Sequence, residues 1–364
     1  MKQFFCLGSY TESILFGTGE MFRGKGAGVS ICAFEDGRIE TLSSLAMCNP
    51  SFVCLNEKKQ KIYAVNEAKE FQGAYGGGIT QIAYDETSRM YVEAALCTGG
   101  ADPCHVALAP DGRFVTVANF ADGRVSVFPV NGAGSLVATR ALFQHTGRGA
   151  DAVRQSGSHA HSAVFAPDAP LVFVPDLGTD RVEAYRWEQG CIIPQASASI
   201  TVAPGSGPRV GVFHPNGGHF YLANELSSRV MHFSYANGVL HFSHEVSTLP
   251  DGCVQESICA DLHLSADGAF LYASNRGHDS IAVFRILPSG EPKFVECVSC
   301  GGRTPRNFAI DPTGHYLLAA NQDSDSIVVF SIEDNGCLSQ KQTFAYGSPV
   351  CIRFFTVSQF LVSH

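Results

Sequence analysis

The sequence lacks long apolar runs and an excess of basic residues. No stretch of its 364 residues approaches 18 uninterrupted apolar positions, and the apolar run at residues 4–7 is too short for the core of a signal peptide. Lys and Arg number 25 against 34 Asp and Glu, a net charge of -9. Nucleic acids and anionic membranes attract basic patches, so we expect neither as partner. The composition predicts a cytoplasmic protein, and local arginines could still bind a small anionic substrate.

Tryptophan and helical patterning are also scarce. Trp187 is the only tryptophan and no Trp-Asp dipeptide occurs, which counts against a non-enzymatic interaction propeller of the WD-repeat kind. No amphipathic segment of helical length is present, so an α/β fold is not expected. Cysteine is plentiful, but the number, 13, is odd and most cysteines lie in apolar strand-like runs. We expect them to be reduced core residues.

The sequence contains a repeat instead. A start residue, an apolar run, a turn of the Pro-Asp-Gly type, a second apolar run and a final Asn recur with a constant offset of 16 residues. The six copies are residues 50–66, 103–119, 160–176, 208–224, 259–275 and 305–321, with Asp176 in place of Asn in the third. With a seventh start at Pro349, the starts lie 44 to 57 residues apart. This spacing suits propeller blades of four short strands.

The two ends of the chain complement each other. Only 16 residues follow from Pro349 to the end, whereas residues 1–48 contain strands without a start residue. Pairing both ends in one blade would close the ring and leave no open sheet edge there. The sequence therefore predicts an all-β fold, a seven-bladed β-propeller with four-stranded blades, in which residues 1–364 form a single domain.

Polar residues recur at one end of each copy. The first two strands of a copy form a hairpin, so the residue after the start and the residue after the final Asn lie at the same mouth of the ring. Loops on a rigid scaffold often carry function. The residues at these places are Ser51, Cys104, His161, Arg209, Ala260, Arg306 and Val350 after the starts, and Glu67, Phe120, Leu177, Glu225, Arg276 and Gln322 after the ends. Solvated loop charges are the plainer alternative.

Arg209 and Glu225 flank one hairpin and are expected to be neighbours. A surface salt bridge, worth under about 1 kcal/mol, is the structural interpretation. The functional interpretation is that Arg209 holds an anion or an oxyanion and keeps Glu225 ionised. The adjacent copies would bring His161 and Arg276 to the same place.

His159 and His161 raise the question of a metal, because residues two apart on a strand point the same way and His-x-His is a familiar ligand pair. No carboxylate motif completes a ligand set. The sequence therefore predicts no metal and no cofactor.

Several strings resemble the lactonase propeller family. They are HAH at 159–161, GPR at 207–209, ANE at 223–225, SNRGHDS at 274–280 and GSYT at 8–11. The resemblance covers essentially the whole chain. The family contains propeller-type 6-phosphogluconolactonases of bacteria and fungal 3-carboxy-cis,cis-muconate lactonizing enzymes. Asp261, where a Glu is common, and a third turn without glycine depart from the family pattern and leave the branch open.

The resemblance implies hydrolysis of a sugar lactone, most closely 6-phospho-D-glucono-1,5-lactone to 6-phosphogluconate in the pentose phosphate pathway. Cycloisomerisation of a carboxylated muconate is the alternative activity. The family likeness places His161, Arg209, Glu225 and Arg276 at positions taken to be catalytic in the lactonizing branch.

A lactone hydrolase needs an activated water, a stabilised oxyanion and a proton for the leaving oxygen. Glu225 or His161 would be the base and the other a possible acid. Arg209 would stabilise the oxyanion, and Arg276, aided by Arg306, would clamp the phosphate. His159 and Glu67 are further expected substrate contacts. The scheme requires no metal, and the sequence does not indicate an oligomeric state.

Overall fold

The computed structural model describes residues 2–138, 141–188 and 190–356. Seven antiparallel sheets, each with a path of four strands, follow one another around a central channel, so the predicted seven-bladed propeller is confirmed. We number the blades by the repeat copies, so that blade 1 begins with the copy at 50–66 and blade 7 with Pro349.

In each blade the four strands are ordered from the channel to the outer edge. Blade 1 contains Val53–Asn56, Lys61–Asn66, Gly78–Tyr84 and Met90–Cys97. Blade 2 contains Pro103–Leu108, Phe114–Asn119, Arg124–Pro129 and Ala141–Gln144. Blade 3 contains Val164–Phe165, Leu171–Asp176, Arg181–Glu188 and Cys191–Pro194. Blade 4 contains Pro208–Phe213, His219–Asn224, Arg229–Ala236 and Val239–Ser247. Blade 5 contains Ile258–Leu264, Phe270–Arg276, Ser280–Ile286 and Pro292–Ser299. Blade 6 contains Pro305–Ile310, Tyr316–Asn321, Ser326–Ile332 and Leu338–Ala345. Blade 7 contains Pro349–Phe354, Gln3–Ser9, Val29–Glu35 and Arg38–Leu45.

Short elements decorate these sheets. The additional strands are Ser13–Leu15 paired with Met21–Arg23, Glu70–Phe71 paired with Ala74–Tyr75, and Ile200–Thr201 at the edge of blade 3. Three 3-10 turns lie at Glu57–Lys59, Ala196–Ala198 and Gln322–Ser324.

The core lies between the faces of adjacent blades. Phe114–Asn119 and Leu171–Asp176, the second strands of blades 2 and 3, are buried at every residue because a neighbouring sheet covers each face. This explains why their sequences are mostly apolar and do not alternate with polar residues, since a neighbouring sheet covers both faces. Between blades 3 and 4, Phe173, Phe220 and Phe233 belong to one apolar cluster. Each such side chain contributes about 1.5 to 3 kcal/mol on burial.

Both ends of the chain meet in blade 7. Gln3–Ser9 pairs antiparallel with Pro349–Phe354, with Leu7 opposite Ile352. The predicted closure of the ring is therefore confirmed, because backbone hydrogen bonds in one sheet join these two strands.

The final Asn of the repeat links neighbouring blades in some of the copies. The side-chain amide of Asn66 donates to the carbonyl oxygen of Cys48 at 2.9 Å, and that of Asn321 donates to Cys300 at 3.1 Å. Both acceptors follow the outermost strand of the preceding blade. At these positions the Asn fixes the connection between blades at the mouth of the ring, whereas the buried side-chain amide of Asn224 has no hydrogen-bond partner among the described residues.

Six of the 13 cysteines are buried, among them Cys6, Cys32 and Cys351 in blade 7, and the other seven are partly exposed, so the expected core location holds for only part of them. Within the described ranges, no helix has the length and apolar character needed to cross a membrane.

Candidate active site

Several hairpins carry a β-bulge at their start. Pro208 pairs with Asn224 and Val210 with Ala223, so Arg209 is the extra residue between them. The register shifts in the same way at Arg306 and at Cys104. A bulge leaves its residue out of the ladder and redirects the side chain. This explains how Arg209, Arg306 and Cys104 come to line the mouth.

Glu225 is positioned by a glycine. Its backbone N–H donates to the carbonyl oxygen of Gly207 at 2.7 Å. Gly207 has a φ of 65°, and a Cβ there would lie 2.6 Å from Cγ of Leu226. Only glycine suits this conformation without strain or a clash. The string Gly207-Pro208-Arg209 therefore places both members of the predicted ion pair.

A cavity of about 360 Å³ occupies this mouth, within the range of ~300–1,000 Å³ that is usual for small-molecule sites. Six predicted residues line it: Glu67, His161, Arg209, Glu225, Arg276 and Arg306. The structure thus brings predicted side chains from five of the seven blades into one cavity.

Three arginines surround Glu225, which is 1% exposed. Its Oε2 accepts from Nη1 of Arg209 at 2.5 Å and from Nη2 of Arg276 at 2.7 Å. Its Oε1 accepts from Nη2 of Arg154. Arg209 and Glu225 are neighbours as predicted, but their contact is buried and is not a surface salt bridge. We call Arg154, Arg209, Glu225 and Arg276 the arginine cluster.

The cluster keeps Glu225 ionised. Burial alone would raise the pKa of this carboxyl, but the guanidinium groups of Arg276, Arg209 and Arg154 hold it well below its usual range. A carboxylate at this depth without such partners would take up a proton.

His161 is held neutral beside the cluster. Its Nε2 contacts Nη1 of Arg209, and its Nδ1 lies 3.7 Å from Sγ of Cys104. An arginine can only donate, so Nε2 accepts and the ring proton lies on Nδ1. Burial, and then the charge of Arg209, hold the pKa of His161 well below its usual range. Arg209 is itself anchored by a bond of 2.5 Å from Nε to the carbonyl oxygen of Ala260.

The opposite wall of the cavity has different chemistry. The hydroxyl of Tyr10 donates to Oε2 of Glu67 at 2.8 Å, and Nη2 of Arg306 lies 3.8 Å from Oε1 of Glu67. The guanidinium of Arg306 lies 5.3 Å from the ring centroids of both Tyr10 and Phe16. Phe16 belongs to the hairpin formed by Ser13–Leu15 and Met21–Arg23, which covers this side.

Asp102 also lines this wall and is 6% exposed. Burial, and then the nearby charge of Glu67, raise the pKa of Asp102 to about 6, although Lys69 approaches to 3.7 Å and opposes the shift. We call Tyr10, Phe16, Glu67, Asp102 and Arg306 the Tyr10 cluster.

Sequence reasoning missed Arg154, which lies outside the repeat on the loop between blades 2 and 3. Oδ1 of Asp151 accepts the N–H of Arg154 at 2.9 Å, and the side-chain amide of Gln155 donates to the carbonyl oxygen of Leu177 and to Asp180, both at 2.8 Å. The spacing between the starts of the second and third copies is the widest and indicates an inserted segment there, but it does not point to Arg154 itself.

His159 lies outside the lining of the cavity. Its ring stacks on Phe120 with centroids 4.6 Å apart, and its Nδ1 donates to the carbonyl oxygen of Phe120 at 2.7 Å. Its expected contact with substrate stays a prediction. Across the part of the chain that the structure describes, no group of three or more His, Cys, Asp or Glu side chains is arranged to hold a metal ion.

Comparison with known proteins bears on this site. A family profile described as "Lactonase, 7-bladed beta-propeller" matches residues 4–354. The chain belongs to this family. A 6-phosphogluconolactonase of Bacillus subtilis (strain 168) is 35% identical over 340 residues, which cover 91% of this chain and 95% of the relative. A 6-phosphogluconolactonase of Formosa agariphila is 35% identical over 302 residues, which cover 79% and 84%.

A solved structure of the same architecture is the periplasmic gluconolactonase of Pseudomonas aeruginosa. It is 32% identical and superimposes with a TM-score of 0.88, covering 97% of this chain and 99% of its own. The family resemblance predicted from the sequence is confirmed by these matches. The names of the relatives include both a phosphorylated and an unphosphorylated lactone.

Proposed function

We propose that this member of the lactonase family hydrolyses 6-phospho-D-glucono-1,5-lactone to 6-phosphogluconate, as one propeller domain with its site at the mouth. The observation that carries the proposal is the arginine cluster, in which one ionised carboxylate and three guanidinium groups line a cavity of suitable size. The family and the names of the relatives favour lactone hydrolysis over cycloisomerisation and over a non-enzymatic propeller.

Glu225 is the proposed base. Its carboxylate takes a proton from a water as the water oxygen attacks the lactone carbonyl carbon, and Arg209 stabilises the resulting oxyanion. The same proton then passes to the ring oxygen as the ester C–O bond breaks, which yields the open-chain acid. His161 is less suited to be the base, because its Nε2 lone pair already accepts from Arg209.

The remaining polar residues hold the substrate. Arg276 binds the phosphate, since guanidinium groups bind phosphate oxygens in pairs. Glu67 and Arg306 contact the sugar from the opposite wall. A cytoplasmic location stays a prediction, as one solved relative is named periplasmic.

Turnover of 6-phosphogluconolactone, corrected for spontaneous hydrolysis, tests the proposal. We expect Glu225→Ala and Arg276→Ala each to lower kcat/KM by about a hundredfold or more, since a well-placed charged contact is worth some 2 to 4 kcal/mol of barrier. Arg229→Ala is the matched control, because Arg229 pairs with Glu245 on the exposed outer part of blade 4.

Folded Glu225→Ala and Arg276→Ala proteins with full turnover would overturn the assignment of the site. A wild-type protein that turns over carboxymuconate but no lactone would replace the hydrolase by a cycloisomerase. Activity on neither would favour a binding propeller.

A further inference from the structure

The arginine cluster carries an excess of positive charge. Arg154, Arg209 and Arg276 converge on the single carboxylate of Glu225, and the neighbouring His161 is neutral. The side chains of Arg154 and Arg276 are only 14% and 12% exposed. Unbalanced charge is unfavourable at this depth, because water cannot solvate it fully. An anion that enters the cavity would restore the balance.

Hydrogen-bonding capacity is also left over. The Nε atoms of Arg154 and Arg276 are buried and have no hydrogen-bond partner among the described residues. A guanidinium offers five N–H donors in a planar fork and binds phosphate in bidentate fashion. Burial lowers the pKa of Arg276 to about 9, and the charges of Arg209, Arg306 and Arg154 add to the effect against the opposing charge of Glu225. A further anion is what this environment lacks.

The other acidic residues of the lining do not supply the missing charge at the arginine cluster. Glu67 and Asp102 are buried, but they belong to the Tyr10 cluster on the opposite wall, and Asp323 is partly exposed. Glu20 and Glu256 line the cavity but are exposed at its rim. Charges in water are screened within about 10 Å at ordinary ionic strength, so they act weakly on the buried cluster.

We propose that Arg154 and Arg276 together form the subsite for the phosphate of the substrate, and that Arg154 sets the preference for a phosphorylated over a neutral lactone. The proposal deepens the proposed function and rests on it. Arg154 suits this role because its loop is separate from the hairpins that hold the reacting groups. That loop is fixed by Asp151 and by the fully buried Gln155.

The subsite is coupled to the base. A phosphate that takes up donors of Arg154 and Arg276 competes with Glu225 for the same guanidinium groups. The guanidinium groups then lower the pKa of Glu225 less, and its carboxylate becomes a stronger base. The phosphate of the substrate therefore raises kcat as well as affinity, which is how binding energy at a remote group accelerates a reaction.

The first test compares two lactones. For Arg154→Ala we expect kcat/KM for 6-phosphogluconolactone to fall about 10- to 100-fold. The fold-decrease in kcat/KM for unphosphorylated gluconolactone should be at least about ten times smaller. Arg148→Ala is the matched control, because Arg148 is an exposed arginine of the same loop. An equal loss on both lactones would contradict the proposal, since Arg154 would then act only through Glu225.

The second test supplies the phosphate separately. Inorganic phosphate should accelerate the enzymatic hydrolysis of gluconolactone by the wild type in a saturable way, after subtraction of the reaction without enzyme. Arg154→Ala should lose this activation and Arg148→Ala should keep it. Absence of activation in the wild type would exclude coupling between phosphate and base.

Calorimetry separates this proposal from the proposed function. If the wild type hydrolyses neither lactone, the proposed function fails, but the binding of 6-phosphogluconate and of gluconate still tests the subsite. Tighter binding of 6-phosphogluconate that is lost in Arg154→Ala would support it. Equal affinities for both acids would overturn it.

Discussion

The two walls of the cavity hold their carboxylates in different ways. On one wall, Glu225 accepts from three guanidinium groups and is surrounded by an excess of positive charge. On the other wall, Glu67 accepts a phenol hydroxyl and faces one arginine at 3.8 Å, and a second carboxyl, Asp102, adds negative charge. One cavity is thus divided into a cationic half and a half that carries a small net negative charge.

This asymmetry orients a substrate that has one charged end. An anionic group gains most on the arginine cluster, whereas the aromatic rings and hydroxyl of the Tyr10 cluster suit the faces and hydroxyl groups of a sugar. A substrate bound the other way would bring its charge toward Glu67 and Asp102. The difference between the walls therefore selects one of two possible orientations.

The largest effect is expected from Glu225→Gln, which keeps the shape of the side chain but removes both the base and the charge that balances three arginines. We expect kcat/KM for 6-phosphogluconolactone to fall by about 10²- to 10⁴-fold, the usual contribution of a general base. Glu245→Gln, on the exposed strand of the same blade, is the control. Folding is checked by circular dichroism, and a folded variant with wild-type turnover would eliminate the base.

Glu67→Gln should have a smaller effect. The amide still accepts from Tyr10 but no longer attracts Arg306, so we expect a loss of about tenfold, similar for the phosphorylated and the neutral lactone. Steady-state kinetics with both substrates checks this. A loss as large as that of Glu225→Gln would assign the base to the Tyr10 cluster and reverse the comparison.

Asp102 should make the Tyr10 cluster sensitive to pH. Its pKa, about 6 in the folded protein, lies above the ordinary value, so its contribution to stability is present at low pH and is lost as pH rises through 6. Asp102→Asn removes this loss and should raise the free energy of unfolding at pH 8 by about 1 to 3 kcal/mol. We expect the Tm of Asp102→Asn to exceed that of the wild type by a few degrees at pH 8 and to match it near pH 4.

Asp334→Asn is the control for that experiment, because Asp334 is an exposed residue of a turn in blade 6. It should leave the Tm unchanged at both pH values. A Tm difference for Asp102→Asn that does not depend on pH would show that Asp102 is ionised in the folded protein as readily as in the unfolded chain.

The smallest effect on turnover is expected from His159→Ala. The imidazole supports Phe120 and lies outside the lining, so we expect kcat/KM to fall less than for Glu67→Gln. Steady-state kinetics and the Tm together check this. Loss of the stacked ring should lower the Tm even though turnover changes little. A large rise in KM would restore His159 as a contact of the substrate.

The architecture was predictable because the repeat is regular. The constant spacing from start residue to Asn fixes a hairpin in each blade, and the truncated seventh copy at Pro349 indicates the closure that Gln3–Ser9 completes. The same hairpin geometry places Arg209 beside Glu225, which is a consequence of pairing Pro208 with Asn224.

The details of the site were less accessible. Arg154 and Asp102 lie outside the two positions that the repeat defines, so no periodic signal points to them. The depth of the cavity could not be judged either, because a pattern of strands does not show that Glu225 is buried under three arginines. The sequence leaves Glu225 and His161 as alternative bases, because it does not show that Nε2 of His161 contacts Arg209.

A crystal structure with bound 6-phosphogluconate tests the central claim most directly, since the claim concerns where the charged end of the substrate lies. The account predicts phosphate oxygens about 3 Å from the guanidinium groups of Arg154 and Arg276, with the carboxylate of the product near Arg209 and Glu225. A phosphate bound beside Arg306 on the Tyr10 cluster, or outside the cavity altogether, would contradict it.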